Sequence, residues 1–201
     1  MATPPRLHFG SFNCPKDGWT NTDVTPHLRI ARVPPLAWLL HKLHRMSDER
    51  YAEHKAGLFR RLRYLDVTRQ WPFPGNSFEA IFSSHVLEHL PLRGARSCLS
   101  ESYRCLKSGG VLRICVPDLD RHIADYRSEH AEEWAISFFE ANETSEKNMH
   151  HFMYNFGSLS KLMREAGFKK VTRCDFHTGD CPDIKELDNR PESLFVEAVK
   201  D

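Results

Sequence analysis

The densest run of reactive side chains in this 201-residue chain is His85-Val86-Leu87-Glu88-His89-Leu90. Its H-x-x-E-H spacing is the inverted zinc-protease pattern. On a helix, His85 and His89 would share one face a turn apart and serve as two zinc ligands. Two features argue against that chemistry. The run leaves a strand-like segment directly and meets Pro91 two residues after His89, so a long active-site helix does not fit. No single downstream carboxylate stands out as a third ligand either. Zinc hydrolysis is therefore set aside, and no metal is expected.

Other polar positions gain meaning from the elements that precede them. Arg6 to Gly10 reads as a short strand ending in glycine and followed by Ser11-Phe12-Asn13. A glycine at that place lets backbone approach a ligand closely. Trp19 to Val24 reads as a second strand after the turn-prone Pro15-Lys16-Asp17-Gly18, and Asp23 stands at its end. A carboxylate there can accept two hydrogen bonds from a ribose diol. Dinucleotide sites separate glycine and acid by about 20 residues; 13 separate Gly10 from Asp23, too few for a comfortable crossover helix. Arg63 to Val67 is a third strand, in which Asp66 can accept from an exocyclic amine while Val67 packs on a flat ring. Taken singly, each of these acids also reads as a turn or capping residue.

The remaining elements alternate. Leu36 to Met46 and Asp48 to Leu62 carry apolar residues at helical spacing, with Ser47 as N-cap of the second and Asp48 and Glu49 complementing its dipole. The stripe Leu36, Leu39, Leu40, Leu43 reads as core. Phe78 to Ser84 is a fourth strand, and Arg96 to Lys107 a helix stopped by Gly109-Gly110. Val111 to Val116 is a fifth strand, closed by Pro117-Asp118. Ser158 to Ala166 is a helix stopped by Gly167, and Val171 to Phe176 and Leu194 to Val199 are the last strands. This order predicts an α/β fold, a mostly parallel sheet covered by helices on both faces. Ligands then bind beyond the carboxyl ends of the strands, near a topological switch point.

Composition narrows the function classes. One domain spanning 1–201 suits the length. A net charge of +1 gives no electrostatic footprint for nucleic acid or an anionic membrane, so neither is expected as a partner. The opening MATPPRLHFG lacks the basic and apolar segments of a signal peptide, and no apolar run approaches the roughly 20 residues of a membrane span. A cytoplasmic protein is expected, with its six cysteines reduced.

The block YLDVTRQWPFPGNSFEAIFSSHVLEHL, followed by LSESYRCLKSGGVLRICVPDL, resembles the small class I, S-adenosylmethionine-dependent methyltransferases of the "methyltransferase type 11" group. HFGSFNCPKDGWTNTDV resembles that family's L-x-x-G-x-G…G-W-x-N-x-D opening, and LDNRPESLFVEAVK its final strand. The resemblance implies a Rossmann-like sheet of order 3-2-1-4-5-7-6 with the last strand antiparallel, and S-adenosylmethionine as cofactor. It puts Gly10 and Ser11 beside the methionine part of the cofactor, Asp23 on the ribose hydroxyls, and Phe12 among the cofactor-binding positions. Asp66 and Val67 then meet the adenine, with Ser84 and His85 at the sulfonium side. One departure stands out: Phe12 replaces the second glycine of the opening motif, where a bulky ring could obstruct the cofactor.

Methyl transfer to a hydroxyl needs a general base, and histidine is the commonest choice. His85 and His89 are candidates, as are His150, His151 and Tyr154 in HHFMYNF; His85, His151 and Tyr154 are preferred. Trp19, Trp71 and Phe73 could stabilise a sulfonium by cation–π contact, though core packing explains them as well. The helical insertion at about 34–62 is expected to form part of the acceptor wall or an oligomer contact, and 119–157 a lid. The expected acceptor is a small molecule or a glycan, methylated on oxygen. The rival reading is a non-catalytic Rossmann-like binding module, in which Phe12 marks a lost cofactor site.

Overall fold

The structure, a computed structural model, describes residues 5–140 and 149–201. The chain divides into two compact units, Met1–Asp66 and Val67–Asp201. The adenine candidates straddle the division: Asp66 ends the first unit, and Val67 begins the second. Strand order across the sheet is β3-β2-β1-β4-β5-β7-β6, the Rossmann-like methyltransferase order.

In the first unit, β1 (Arg6–Phe9), β2 (Thr20–Asp23) and β3 (Leu62–Tyr64) run parallel. Leu7, His8 and Phe9 are all buried, as expected of a parallel strand covered on both faces. The ten residues joining β1 to β2 hold no helix. Asn21 folds that connection instead: its Oδ1 accepts from Lys16 N at 2.8 Å, and its Nδ2 donates to the carbonyls of Lys16 at 2.9 Å and Trp19 at 3.1 Å. Between β2 and β3 stand α1 (His27–Ile30), α2 (Pro34–Lys42), α3 (Asp48–Lys55) and a 3₁₀ turn, Leu58–Arg61. Ser47 caps α3, its hydroxyl accepting from Arg50 N at 3.2 Å. The expected leucine stripe is not core. Leu39 and Leu43 are exposed, and the buried positions nearby are Ala37 and Met46. Leu39 lies within α2 and still faces outward, and Leu43 follows its last residue.

In the second unit, β4 (Phe78–Ser84) pairs in parallel with β5 (Leu106–Pro117), and β7 (Ser193–Val199) runs antiparallel to both β5 and β6 (Lys170–Cys174). The helices are α4 (Leu92–Cys105), α5 (Leu119–Asp125), α6 (Ala131–Phe139), α7 (Phe156–Glu165) and α8 (Ile184–Leu187). On α4, Ala95, Cys98, Leu99 and Ser102 are buried at helical spacing. A capping box opens α7: Asn155 Oδ1 accepts from Ser158 N at 2.9 Å, and Ser158 Oγ from Asn155 N at 3.1 Å.

Two expected boundaries matter for the site: β3 ends at Tyr64, leaving Asp66 and Val67 beyond it rather than inside a strand, and the expected glycine stop of α4 is wrong. Gly109 and Gly110 do not stop a helix; α4 ends at Cys105, and both glycines lie inside β5. Phe78 pairs with Leu106 while Ala80 pairs with Val111, so β5 bulges between those points. Gly109 takes the left-handed φ of 77°, and a Cβ on Gly110 would sit 2.9 Å from the Lys107 carbonyl oxygen. The glycines are required by the bulge.

Arg113 on β5 is wholly buried and held by carboxylates. Its Nε donates to Asp188 Oδ1 at 2.9 Å, and its Nη1 to Glu197 Oε1 at 2.9 Å. Burial works against the charge, but Asp188 and Glu197 more than offset it and raise the pKa. The pairing fixes Asp188 just before Arg190 and Ser193.

Candidate functional site

The first unit gathers its candidates where β1 and β2 end. Gly10 turns the chain with φ 69°. Ser11 is buried, its N–H and hydroxyl both directed at the Thr22 carbonyl, at 3.1 and 3.3 Å. The Asp23 carboxylate is tied by backbone: Oδ2 accepts from Phe12 N at 3.0 Å and Oδ1 from Thr25 N at 2.7 Å. Burial raises its pKa, opposed by these N–H groups. Each oxygen has further lone-pair capacity, so the carboxylate is positioned without being used up. Asp23 is therefore also structural, not the unattached strand-end acid that its sequence position suggests.

Phe12 answers the question raised by the missing glycine. Its ring turns into the cluster of Leu28, Ala31, Phe59 and Leu62, with its centroid 5.8 Å from that of Phe59 and the Arg50 guanidinium 4.5 Å above it. The residue reaches that pose with φ 39°. Its side chain is committed to the helical insertion, and its backbone N–H to Asp23.

In the second unit, Ser84 ends β4 and His85 follows with φ 54°, its N–H donating to the Cys115 carbonyl at 2.9 Å. The imidazole has three neighbours. Nε2 lies 2.8 Å from Ser193 Oγ, and Nδ1 lies 3.2 Å from Arg190 Nη1 and 3.1 Å from Glu88 Oε1. H-x-x-E-H does not form an α-helix; Leu87–His89 is a single 3₁₀ turn. His85 and His89 therefore do not present the shared helical face of a zinc protease.

The HHFMYNF segment is tied to that turn, since His151 N and Phe152 N donate to the Glu88 carbonyl at 2.7 and 3.2 Å. His151 itself is exposed, and it is His150 that is buried. Tyr154 is completely buried, and its hydroxyl has no hydrogen-bond partner. Burial, then the negative charge of Glu88, raises its pKa. Neither His151 nor Tyr154 faces the cavity of the second unit, so neither is placed to serve as a base there.

That cavity, about 320 Å³, is lined by His85, Asp118, Arg121, His122, Glu140, His150, Arg190 and Ser193, among others. Sequence reasoning missed Asp118, Arg190 and Ser193. Asp118 also accepts from Arg173 Nη2 at 2.8 Å. Burial, then His150, lowers the His122 pKa. Residues of the expected lid supply several of the walls; 141–148 lie outside the described residues. Glu88, His89 and His150 converge, each offering a ligand atom, with these atoms within 4.8 Å of one another.

The aromatic candidates are packing residues. Trp19 and Trp71 are buried, the latter donating Nε1–H to the Val67 carbonyl at 3.3 Å, and Phe73 meets Phe78 edge to face at 5.0 Å. No helix among the described residues is long and apolar enough to cross a membrane.

Comparison with known proteins agrees with this architecture. A family model described as a methyltransferase domain matches residues 41–114. Two Mycobacterium tuberculosis proteins, from strains CDC 1551 and H37Rv, are each named a probable S-adenosylmethionine-dependent methyltransferase. They are 23% identical over 154 residues, covering 75% of this chain and 48% of theirs. The chain thus spans about half the length of the curated relatives it matches. Among solved structures, a Thermotoga maritima S-adenosylmethionine-dependent methyltransferase, described as a possible histamine N-methyltransferase, aligns with a TM-score of 0.54 at 16% identity, covering 100% of this chain and 84% of that one. Phosphoethanolamine N-methyltransferase 2 of Haemonchus contortus, solved with phosphomonomethylethanolamine and S-adenosylhomocysteine, aligns at 0.53 and 16%, covering 100% and 49%. At such identities the structural likeness is one of fold. In sheet order and in these sequence matches the chain is similar to class I, S-adenosylmethionine-dependent methyltransferases.

Proposed function

We propose that this chain transfers a methyl group from S-adenosylmethionine to a hydroxyl of a small-molecule or sugar-type acceptor. The observation that carries the reading is the Asp23 carboxylate, held at the end of β2 by the backbone N–H groups of Phe12 and Thr25 while the Phe12 ring is turned away. In the first unit, Gly10, Ser11, the Phe12 backbone, Asp23 and Asp66 are the proposed cofactor contacts. In the second, they are Val67, Ser84 and His85. The bound cofactor supplies a methyl already activated on a sulfonium.

The protein's task is then alignment and proton removal. Holding the reactants in line can contribute about 7–11 kcal/mol. His85 is the proposed base, acting at Nε2 in the tautomer whose proton sits on Nδ1 towards Glu88 Oε1. The approach of Ser193 Oγ to that nitrogen, 2.8 Å, supports a hydroxyl being accommodated there. Arg121, Asp118 and Arg190 give the cavity a polar wall of mixed charge, suited to a hydroxylated acceptor more than to an apolar one. The segment 119–157 is proposed as the cover of the acceptor.

Calorimetric titration tests the cofactor class. S-adenosylhomocysteine should bind and NAD should not. No heat with S-adenosylhomocysteine at millimolar concentration would favour a non-catalytic module.

A further inference from the structure

The turn after β4 holds a donor set that methyl transfer does not use. Glu88 is completely buried, and neither of its carboxylate oxygens has a hydrogen-bond partner. His85 Nδ1 approaches Oε1 at an ion-pair distance without the alignment of a hydrogen bond. The Nε2 atom of His150 is likewise buried and without a hydrogen bond.

The tautomers follow from the backbone. His150 Nδ1 lies 2.7 Å from the Phe138 carbonyl oxygen, and His89 Nδ1 lies 3.4 Å from that of Met149. A carbonyl only accepts, so each Nδ1 carries a proton, and in the neutral imidazole each Nε2 then offers its lone pair. Fixing a histidine tautomer through a carbonyl is the usual outer-shell support of a metal ligand. The two rings stand 5.0 Å apart, and ligand atoms of Glu88, His89 and His150 lie within 4.8 Å of one another. Two imidazole nitrogens and a buried carboxylate thus gather, with Glu140 Oε1 lying 3.7 Å from His150 Nε2 as well. Only a positive charge makes that arrangement favourable.

We propose that Glu88, His89 and His150 bind a divalent transition cation of the Zn²⁺ class. Two imidazoles and one carboxylate suit zinc and its first-row neighbours better than calcium or magnesium, which prefer all-oxygen sets. Three protein ligands leave coordination positions open, as in catalytic rather than structural zinc sites. His150 also lines the 320 Å³ cavity, so the open positions are available to an oxygen ligand entering there. Oε1 of Glu88 faces His85, and its other oxygen is free for the ion. The site lies wholly in the second unit, and its evidence is independent of the cofactor reading.

The test uses the full chain after chelator treatment. Zn²⁺ is titrated calorimetrically, retained zinc is measured after dialysis, and Co²⁺ is added as an absorbing probe. The wild type should retain one equivalent, melt at a higher temperature with zinc, and give a visible Co²⁺ spectrum. His89→Ala and His150→Ala should each weaken binding by at least about tenfold and lose the spectrum. The exposed His130→Ala should change nothing. Glu88→Gln is the sharper change, and the two histidine variants keep the test decisive if its fold fails. A wild type that retains no zinc, or ligand variants that bind as tightly as wild type, would overturn the site. None of these readouts needs S-adenosylmethionine, so failure here leaves the methyl-transfer reading standing.

Discussion

Two strand ends in this molecule adopt the same unusual backbone and put it to opposite uses. After β1, Phe12 takes φ 39°; after β4, His85 takes φ 54°. Left-handed conformations are uncommon for residues other than glycine and cost about 1–2 kcal/mol. At Phe12 the working group is the backbone N–H on Asp23, and the ring is packed among Phe59, His27 and Arg50. At His85 the backbone N–H closes a strand bond to Cys115, and the working group is the imidazole. The first turn positions another residue's carboxylate; the second presents its own side chain. A glycine would serve the first nearly as well and would abolish the second.

The largest expected effect follows from that difference. His85→Ala should lower turnover at saturating S-adenosylmethionine by roughly 10²–10⁴, the usual worth of a general base, while melting temperature changes little. Steady-state rates within tenfold of wild type, on an acceptor the wild type uses, would remove His85 from the mechanism.

Acid should separate the two units next. In the first, burial lowers the pKa of His8 from 6.5 to about 4. Burial, then neighbouring positive charge, lowers those of His27 and His54, whose rings meet with Nδ1 2.9 Å from Nε2. The unfolded chain takes up these protons near pH 6.5, whereas the folded chain does not take up that of His8 until about 4. Stability is therefore intact above 6.5 and falls as pH drops through that window, by about 3 kcal/mol for His8. Melting temperature followed from pH 7.5 downward should fall less steeply in His8→Gln. An unchanged slope would rule out His8 as the source.

Phe12→Gly has the smallest expected effect on function. Losing a half-buried ring should cost about 1–3 kcal/mol, offset by about 1 kcal/mol of relieved left-handed strain. Affinity for S-adenosylhomocysteine should stay within about threefold. A tenfold gain would mean that the ring obstructs the cofactor after all.

Where the sequence was legible, local chemistry was sufficient. Phe78–Ser84 stands out as an apolar run after a Pro-Gly-Asn turn, and β4 has those same bounds. The Ser47 cap and the missing crossover helix were equally readable, because a cap and a chain length are local facts. Gly109-Gly110 misled because a helix stop and a strand bulge require the same residue, and only pairing with Phe78 and Ala80 tells them apart. In the candidate site, His150 and His151 are indistinguishable by sequence. Their roles diverge because His151 N is bound to the Glu88 carbonyl while His150 Nδ1 reaches the Phe138 carbonyl. Arg190 and Ser193 approach His85 from more than a hundred residues away, a contact that no local pattern announces.

The most direct test of the cofactor reading is calorimetric titration of S-adenosylhomocysteine into wild type, Asp23→Asn and Asp23→Ala, with melting curves run alongside. Hydrogen bonds to a charged group are worth roughly 1.5–3 kcal/mol each. Asp23→Ala should therefore bind at least tenfold more weakly, with Asp23→Asn intermediate. Both should also melt somewhat lower, since the Phe12 and Thr25 N–H groups lose an acceptor. A folded Asp23→Ala that binds S-adenosylhomocysteine as tightly as wild type would contradict the assignment of the β2 carboxylate to the ribose, and with it the observation on which the proposed function rests.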